Sequence, residues 1–68
     1  MTDTKLLREA IESRGLKYKY IAEELGITPY GLQKKIENES DFKAKEILAL
    51  TRILGLSRKE RDRIFFAC

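Results

Sequence analysis

Hydrophobic residues recur along this chain at intervals of three and four positions, and no segment alternates with period two over the length of a strand. That spacing places apolar side chains on one face of a helix, so the pattern predicts an all-α protein. Short polar or glycine-containing connections separate five predicted helices. These span about 3–14, 18–25, 29–37, 44–54 and 57–66. Because no linker or internal repeat interrupts them, residues 1–68 are predicted to form a single domain.

The segment 18–37 is predicted to form two short helices joined by a tight turn. Its first half carries Ile21, Ala22 and Leu25 on one helical face. Gly26 follows, and a glycine with positive φ can end a helix without steric cost. The first helix of the pair is therefore predicted to stop at this glycine.

The second half of the segment begins with a threonine and a proline. A hydroxyl N-cap followed by proline at the first helical position is a strong start signal, and Thr28 and Pro29 supply it. Leu32 and Ile36 lie four residues apart and can close on the apolar face of the preceding helix. The small side chain of Ala22 suits a steep crossing of two short helices.

This pattern resembles the helix-turn-helix of the Cro/CI-type repressor family. The residues at the family's small, turn, plug and core positions are Ala22, Gly26, Ile27 and Leu32. The resemblance extends from the first predicted helix to Leu56. It implies a five-helix, lambda-repressor-like bundle whose recognition helix, about 29–37, enters a DNA major groove.

The resemblance also implies which side chains reach the bases. They lie in the first turn of the recognition helix and at its next outward positions: Thr28, Pro29, Tyr30, Gln33 and Lys34. Gln33 can form a bidentate pair with adenine, and Lys34 can donate to guanine or to a phosphate. The alternative for these two residues is an ordinary solvated helix face. The next residue, Lys35, points sideways and is not expected to contact DNA.

Phosphate contacts are expected from two other helix N-termini. Lys17, Tyr18 and Lys19 stand where the first helix of the motif begins, and free backbone N–H groups there favour an anion. Lys43 and Lys45 stand at the start of the fourth helix, where a lysine opposes the helix macrodipole. A phosphate partner would compensate for that unfavourable placement, although two lysines could also simply tolerate its small cost.

The fifth predicted helix has a clear beginning and a crowded end. Ser57 and Glu60 have the spacing of a capping box. At the other end, Ile64, Phe65 and Phe66 are three consecutive large apolar residues, and one side of a terminal helix cannot bury all of them. They are candidate subunit contacts in a homodimer, although a core position is equally compatible with Phe65.

Two functions fit this sequence. The first is a sequence-specific DNA-binding transcriptional regulator, and the resemblance implies a role in the lysis–lysogeny switch of a phage or prophage, with double-stranded operator DNA as the partner. The second is a modulator that binds a CI-type repressor protein and masks its DNA-binding surface. In that case the carboxylates of Glu37, Glu39 and Asp41 would mimic DNA phosphates.

Composition narrows these alternatives only in part. The chain has 68 residues, with 14 basic and 11 acidic side chains and a net charge of +3, which permits nucleic-acid binding without requiring it. It lacks histidine, a Cys–His pair and a glycine-rich phosphate loop, so neither an enzyme, a metal site nor a cofactor is expected.

The single thiol, Cys68, is compatible with a reducing cytoplasm. Neither a signal peptide nor a membrane span is expected, because no apolar run approaches the roughly 20 residues of a span.

Overall fold

The computed structural model describes residues 2–66, which form five α-helices and no strand. The helices are α1 (Thr4–Ser13), α2 (Tyr18–Leu25), α3 (Pro29–Ile36), α4 (Ala44–Leu54) and α5 (Arg58–Phe65). The all-α prediction is confirmed, and each boundary agrees with its predicted position to within one residue. None of these helices has the length and apolar character needed to cross a membrane. Cys68 lies outside the described residues.

Local signals in the sequence explain where the helices begin and end. Asp3 caps α1 by accepting a hydrogen bond from a backbone N–H in its first turn at 3.1 Å, and Thr28 caps α3 in the same way at 3.0 Å. Ser57 and Glu60 form the predicted capping box, each side chain accepting from the other's backbone N–H at 3.1 and 2.9 Å. At the opposite end of a helix, Gly26 has φ of 72° and terminates α2.

The core lies between the helices and takes side chains from all five of them. α2 packs against α3 and α4, while α1 packs against α3 and α5. Two connections also contribute, because Phe42 and Leu56 are buried. The ring of Phe42 meets that of Phe65 edge to face, with centroids 5.6 Å apart. This contact joins the α3–α4 connection to the last helix.

Arg14 links the ends of three helices. It follows α1, and its guanidinium Nε donates to the backbone carbonyl of Leu54 in the last turn of α4. A second nitrogen donates to the carbonyl of Ala10 at 3.1 Å. A third lies 3.9 Å from a carboxylate oxygen of Glu60 in α5. The guanidinium thus donates to carbonyls in the last turns of α1 and α4, where the helix itself leaves carbonyls without a backbone N–H.

The three predicted subunit-contact residues at the end of α5 differ in burial. Ile64 and Phe65 are buried in the chain's own core, so neither side chain is available to a second copy. Phe66 is 55% exposed. A terminal helix has one buried side, and the packing of Phe65 against Phe42 determines which of the three residues faces outward. Of the predicted set, Phe66 remains a candidate for a subunit contact.

Candidate nucleic-acid interface

Residues 26–28 connect α2 and α3 in a compact turn. The backbone N–H of Gly26 donates to the carbonyl of Glu23 at 3.1 Å, and that of Ile27 donates to the carbonyl of Ala22 at 3.0 Å. This pairing closes the C-terminus of α2 in the manner of a Schellman motif. The side chain of Ile27 packs against the core, and Thr28 then caps α3. The turn therefore joins the two helices, and its hydrogen bonds satisfy two carbonyls at the end of α2 and one N–H at the start of α3.

The helix α3 has one face in the core and one face in solvent. Leu32 and Ile36 are buried against the other helices. On the opposite side Tyr30 is 69% exposed, Gln33 is exposed, and Lys34 is partly exposed. At the start of the helix, Thr28 and Pro29 are exposed as well. All five residues predicted to contact bases are thus accessible from outside the molecule.

Several side chains on this outer face already interact with one another. The Lys34 ammonium lies 5.4 Å from the centroid of the Tyr30 ring, a distance suited to a cation–π contact. Gln33 donates from Nε2 to a carboxylate oxygen of Glu37 at 3.3 Å. The Thr28 hydroxyl oxygen accepts the capping hydrogen bond of α3. The outer face of α3 therefore presents amide, ammonium and aromatic groups whose positions are partly fixed by these contacts.

The first set of predicted phosphate contacts lies at the N-terminus of α2. Lys17, Tyr18 and Lys19 are all exposed. Lys17 occupies the N-cap position without a side-chain capping bond, so the backbone N–H groups of the first turn have no side-chain acceptor from it. Tyr18 shares an open groove with Pro29 and Gln33 of α3. This set is consequently close to the first half of α3.

The second set lies at the opposite end of α3. Lys43 and Lys45 are exposed at the N-terminus of α4. An ion pair between Lys35 of α3 and Glu46 of α4 holds the first turn of α4 next to the last turn of α3. The two predicted phosphate-binding sets are therefore near the two ends of α3.

The ion pair between Lys35 and Glu46 was not predicted from the sequence. Lys35 Nζ lies 3.0 Å from Glu46 Oε1 and donates to the carbonyl oxygen of Asp41 at 2.9 Å. The same Glu46 oxygen accepts the backbone N–H of Lys43 at 2.8 Å. The Lys35 and Glu46 side chains are only 11% and 6% exposed, and the Lys35 ammonium lies 5.9 Å from the Phe42 ring centroid. Lys35 is therefore buried between α3 and α4, where it fixes the two helices together.

The environment of Glu46 keeps its carboxyl group ionised. Burial raises the pKa of Glu46, but the hydrogen bond from the Lys43 backbone N–H and the hydrogen bond and charge of Lys35 together lower it more, so the pKa lies below its usual value. Lys35 lies three residues after the buried Leu32, a spacing that places it beside the buried face of α3. That spacing is the sequence signal that could have identified it.

An acidic connection follows α3. Glu37, Glu39 and Asp41 are exposed there. Asn38 adopts a left-handed conformation with φ of 63°, as its residue type suggests, and its side-chain amide donates to the carbonyl oxygen of Thr2 at 3.2 Å. The connection is thereby tied to the N-terminal segment, with its carboxylates directed to solvent.

Within residues 2–66, no group of three Asp, Glu, His or Cys side chains is arranged to hold a metal ion. Comparison of the chain with protein-family models, with curated proteins and with solved structures gave no match.

Proposed function

We propose that this protein is a sequence-specific DNA-binding regulator of transcription, in which α2 and α3 act as a helix-turn-helix and α3 enters a major groove. The outer face of α3 carries this proposal. Gln33 has the amide that pairs with adenine, and Lys34 has an ammonium that can donate to guanine or to a phosphate. The exposed ring of Tyr30 can pack on a thymine methyl group. Because Leu32 and Ile36 hold the opposite face in the core, these groups would be presented on a rigid element.

The distribution of lysines supports the same proposal. Lys17 and Lys19 lie near the first half of α3, and Lys43 and Lys45 lie beyond its last turn. A helix in the major groove has a phosphate backbone on either side, and contacts to both backbones set its register on the duplex. Cations near both ends of the reading helix are suited to that arrangement.

In the proposed mechanism, the domain regulates transcription by occupying its operator. A small domain bound to an operator excludes other proteins from the same DNA. The resemblance of residues 18–37 to the Cro/CI-type motif is the basis for proposing that this operator belongs to a phage or prophage switch.

The proposal can be tested with DNA selected by the protein itself. Duplexes containing 20 random base pairs are enriched on the immobilised chain, and the enriched duplex is then measured by fluorescence anisotropy at fixed salt. Replacement of Gln33 and Lys34 by alanine should reduce affinity by roughly 30-fold or more, because each specific base contact contributes about 1–3 kcal/mol and about 1.4 kcal/mol is tenfold. An inverted repeat among the enriched sequences would indicate that two copies bind together.

The control is Lys59→Ala, which removes one positive charge from an exposed position on α5. It should leave the affinity for the enriched duplex nearly unchanged. Failure to enrich any sequence, or full affinity in a folded Gln33/Lys34 double variant, would contradict the proposal. Circular dichroism establishes that the variants are folded.

The acidic connection favours one second candidate, a modulator that binds a repressor protein. Exposed carboxylates at Glu37, Glu39 and Asp41 could occupy a basic DNA-reading surface on a CI-type repressor. This function predicts a stoichiometric complex with the repressor encoded nearby and weak DNA binding by the chain alone. Size-exclusion chromatography with light scattering would detect the complex, and neutral amides at the three positions should abolish it.

A further inference from the structure

An open groove with a volume of about 380 Å³ runs between α1 and α3. Its walls include Arg8 and Glu12 of α1 and Tyr18 of α2, and Pro29 and Gln33 of α3 also line it. The groove is therefore continuous with the outer face of α3 through Gln33. It is also continuous with the α2 N-terminus through Tyr18. A ligand lying along α3 would pass beside α1 at this point.

Arg8 is the cationic side chain of this groove. It is exposed, and its guanidinium has no hydrogen bond or ion pair within residues 2–66. Arg14 and Arg61, by contrast, have carboxylate partners within the chain, Glu60 and Asp62. The Arg8 guanidinium is thus free to bind an external anion. An arginine fork matches the geometry of a phosphate particularly well.

The remaining walls suit the rest of a nucleotide backbone. The Tyr18 ring and the Pro29 ring provide apolar surfaces, and Leu32 contributes to the floor. A deoxyribose has apolar faces that can pack on such surfaces, while its phosphate carries the charge. The groove therefore combines, within one small volume, the two kinds of contact that a sugar–phosphate unit needs.

We propose that Arg8 binds a DNA phosphate at the edge of the site that α3 reads, with the neighbouring deoxyribose packed on Tyr18 and Pro29. This inference rests on the proposed DNA-binding function and extends the DNA-facing surface to α1. Nothing in the sequence pattern selects Arg8, because the proximity of α1 to α3 arises only in the folded chain.

Glu12 supplies a second test of the same geometry. It lies one turn after Arg8 on α1 and lines the same groove, and no side chain among residues 2–66 pairs with its carboxylate. A phosphate bound at Arg8 would be repelled by this carboxylate. Neutralising the two residues should consequently change DNA affinity in opposite directions.

The experiment measures affinity between 50 and 200 mM salt by fluorescence anisotropy, using the enriched duplex and a duplex of unrelated sequence. One lost phosphate contact should lower the magnitude of the slope of log K against log salt by about 0.9 and weaken binding roughly eightfold at 0.1 M salt. Arg8→Gln should show both effects on both duplexes. Glu12→Gln should strengthen binding severalfold. Arg8→Lys keeps the charge and should retain the slope.

The matched control is Arg58→Gln, at another exposed arginine that forms no ion pair within residues 2–66, located at the start of α5. Its slope should equal that of the wild type. If the wild type binds neither duplex, the inference and the proposed function both fail. If the wild type binds and folded Arg8→Gln changes neither slope nor affinity, only the inference fails.

Two further outcomes would also contradict the proposed contact between Arg8 and a DNA phosphate. A loss confined to the enriched duplex with an unchanged slope would indicate a base contact at Arg8. If Arg8→Gln weakened a complex with a repressor protein and left DNA binding intact, the groove would hold a carboxylate of that protein.

Discussion

Lys34 and Lys35 are consecutive residues of α3 in opposite environments. The Lys34 ammonium lies over the exposed Tyr30 ring, and the Lys35 ammonium forms a buried ion pair with Glu46. A helix turns by roughly 100° per residue, so one step along the chain separates a surface face from a structural face. The chemistry of a lysine therefore does not determine its role. Its direction from the helix axis does.

The two lysines should also differ in what their loss exposes. Removing Lys34 leaves the Tyr30 ring in water, where it already lies for the most part. Removal of Lys35 leaves a buried carboxylate without its cation and the Asp41 carbonyl without its donor. Loss of Lys35 is therefore far less favourable than loss of Lys34, because an unpaired buried charge has neither water nor a counter-ion to stabilise it.

The largest effect is expected from Lys35→Ala. It should reduce the free energy of unfolding by about 3–5 kcal/mol, the usual cost of breaking a buried ion pair by removing one partner. Urea unfolding followed by circular dichroism measures this loss. The combined change Lys35→Met with Glu46→Gln removes both charges while keeping an acceptor for the Lys43 N–H, and it should recover most of the stability. A loss below about 1 kcal/mol in Lys35→Ala would contradict the structural role given to the pair.

A moderate effect is expected from acid. The pKa of Glu46 is lower in the folded chain than its usual value, so folding favours the ionised form. Its contribution to stability is complete above the unfolded-state pKa and is lost as the pH falls through the lowered folded-state pKa. Unfolding free energy should therefore be lower at pH 3 than at pH 7.

The double variant isolates this effect. Glu60, whose pKa is also lowered by its hydrogen bonds to the Ser57 backbone and side chain, is present in both proteins and contributes equally. The acid-induced loss should be smaller in Lys35→Met with Glu46→Gln than in the wild type. Identical losses in urea titrations at the two pH values would show that Glu46 is not a source of the acid sensitivity.

The smallest effect on stability is expected from Lys34→Ala. An exposed cation–π contact contributes about 0.5–1 kcal/mol, so the free energy of unfolding should fall by no more than that. The loss in free energy of binding to the enriched DNA should be larger than this loss in free energy of unfolding. Thermal unfolding and anisotropy on the same preparation separate the two quantities. A destabilisation as large as that of Lys35→Ala would remove the distinction between the two faces of α3.

The helices were predictable because their signals are local. Thr28 followed by Pro29 starts α3, Gly26 ends α2, and the Ser57–Glu60 box starts α5, and each signal acts within one turn of the chain. The exposure of the five predicted base-contacting residues also followed from helical periodicity, because the buried Leu32 and Ile36 define the opposite face.

The remaining features depend on contacts between distant segments. Lys35 and Glu46 belong to different helices, and their pairing requires the particular path of the connection through Asn38. The choice among Ile64, Phe65 and Phe66 is made by the Phe42 ring, which comes from another part of the chain. Arg8 reaches the α3 groove only because α1 packs beside it. No local pattern encodes these three arrangements.

If the proposed function is correct, the hydrogen bond from Gln33 to Glu37 would affect how the chain discriminates between DNA sequences. In the proposed complex an adenine edge competes with an internal acceptor, so binding reflects the difference between two hydrogen-bonding arrangements. A mismatched base leaves the internal bond intact and gains nothing from the amide. A cognate adenine would therefore have to form hydrogen bonds with Gln33 that are more favourable than the one that Glu37 already accepts from it.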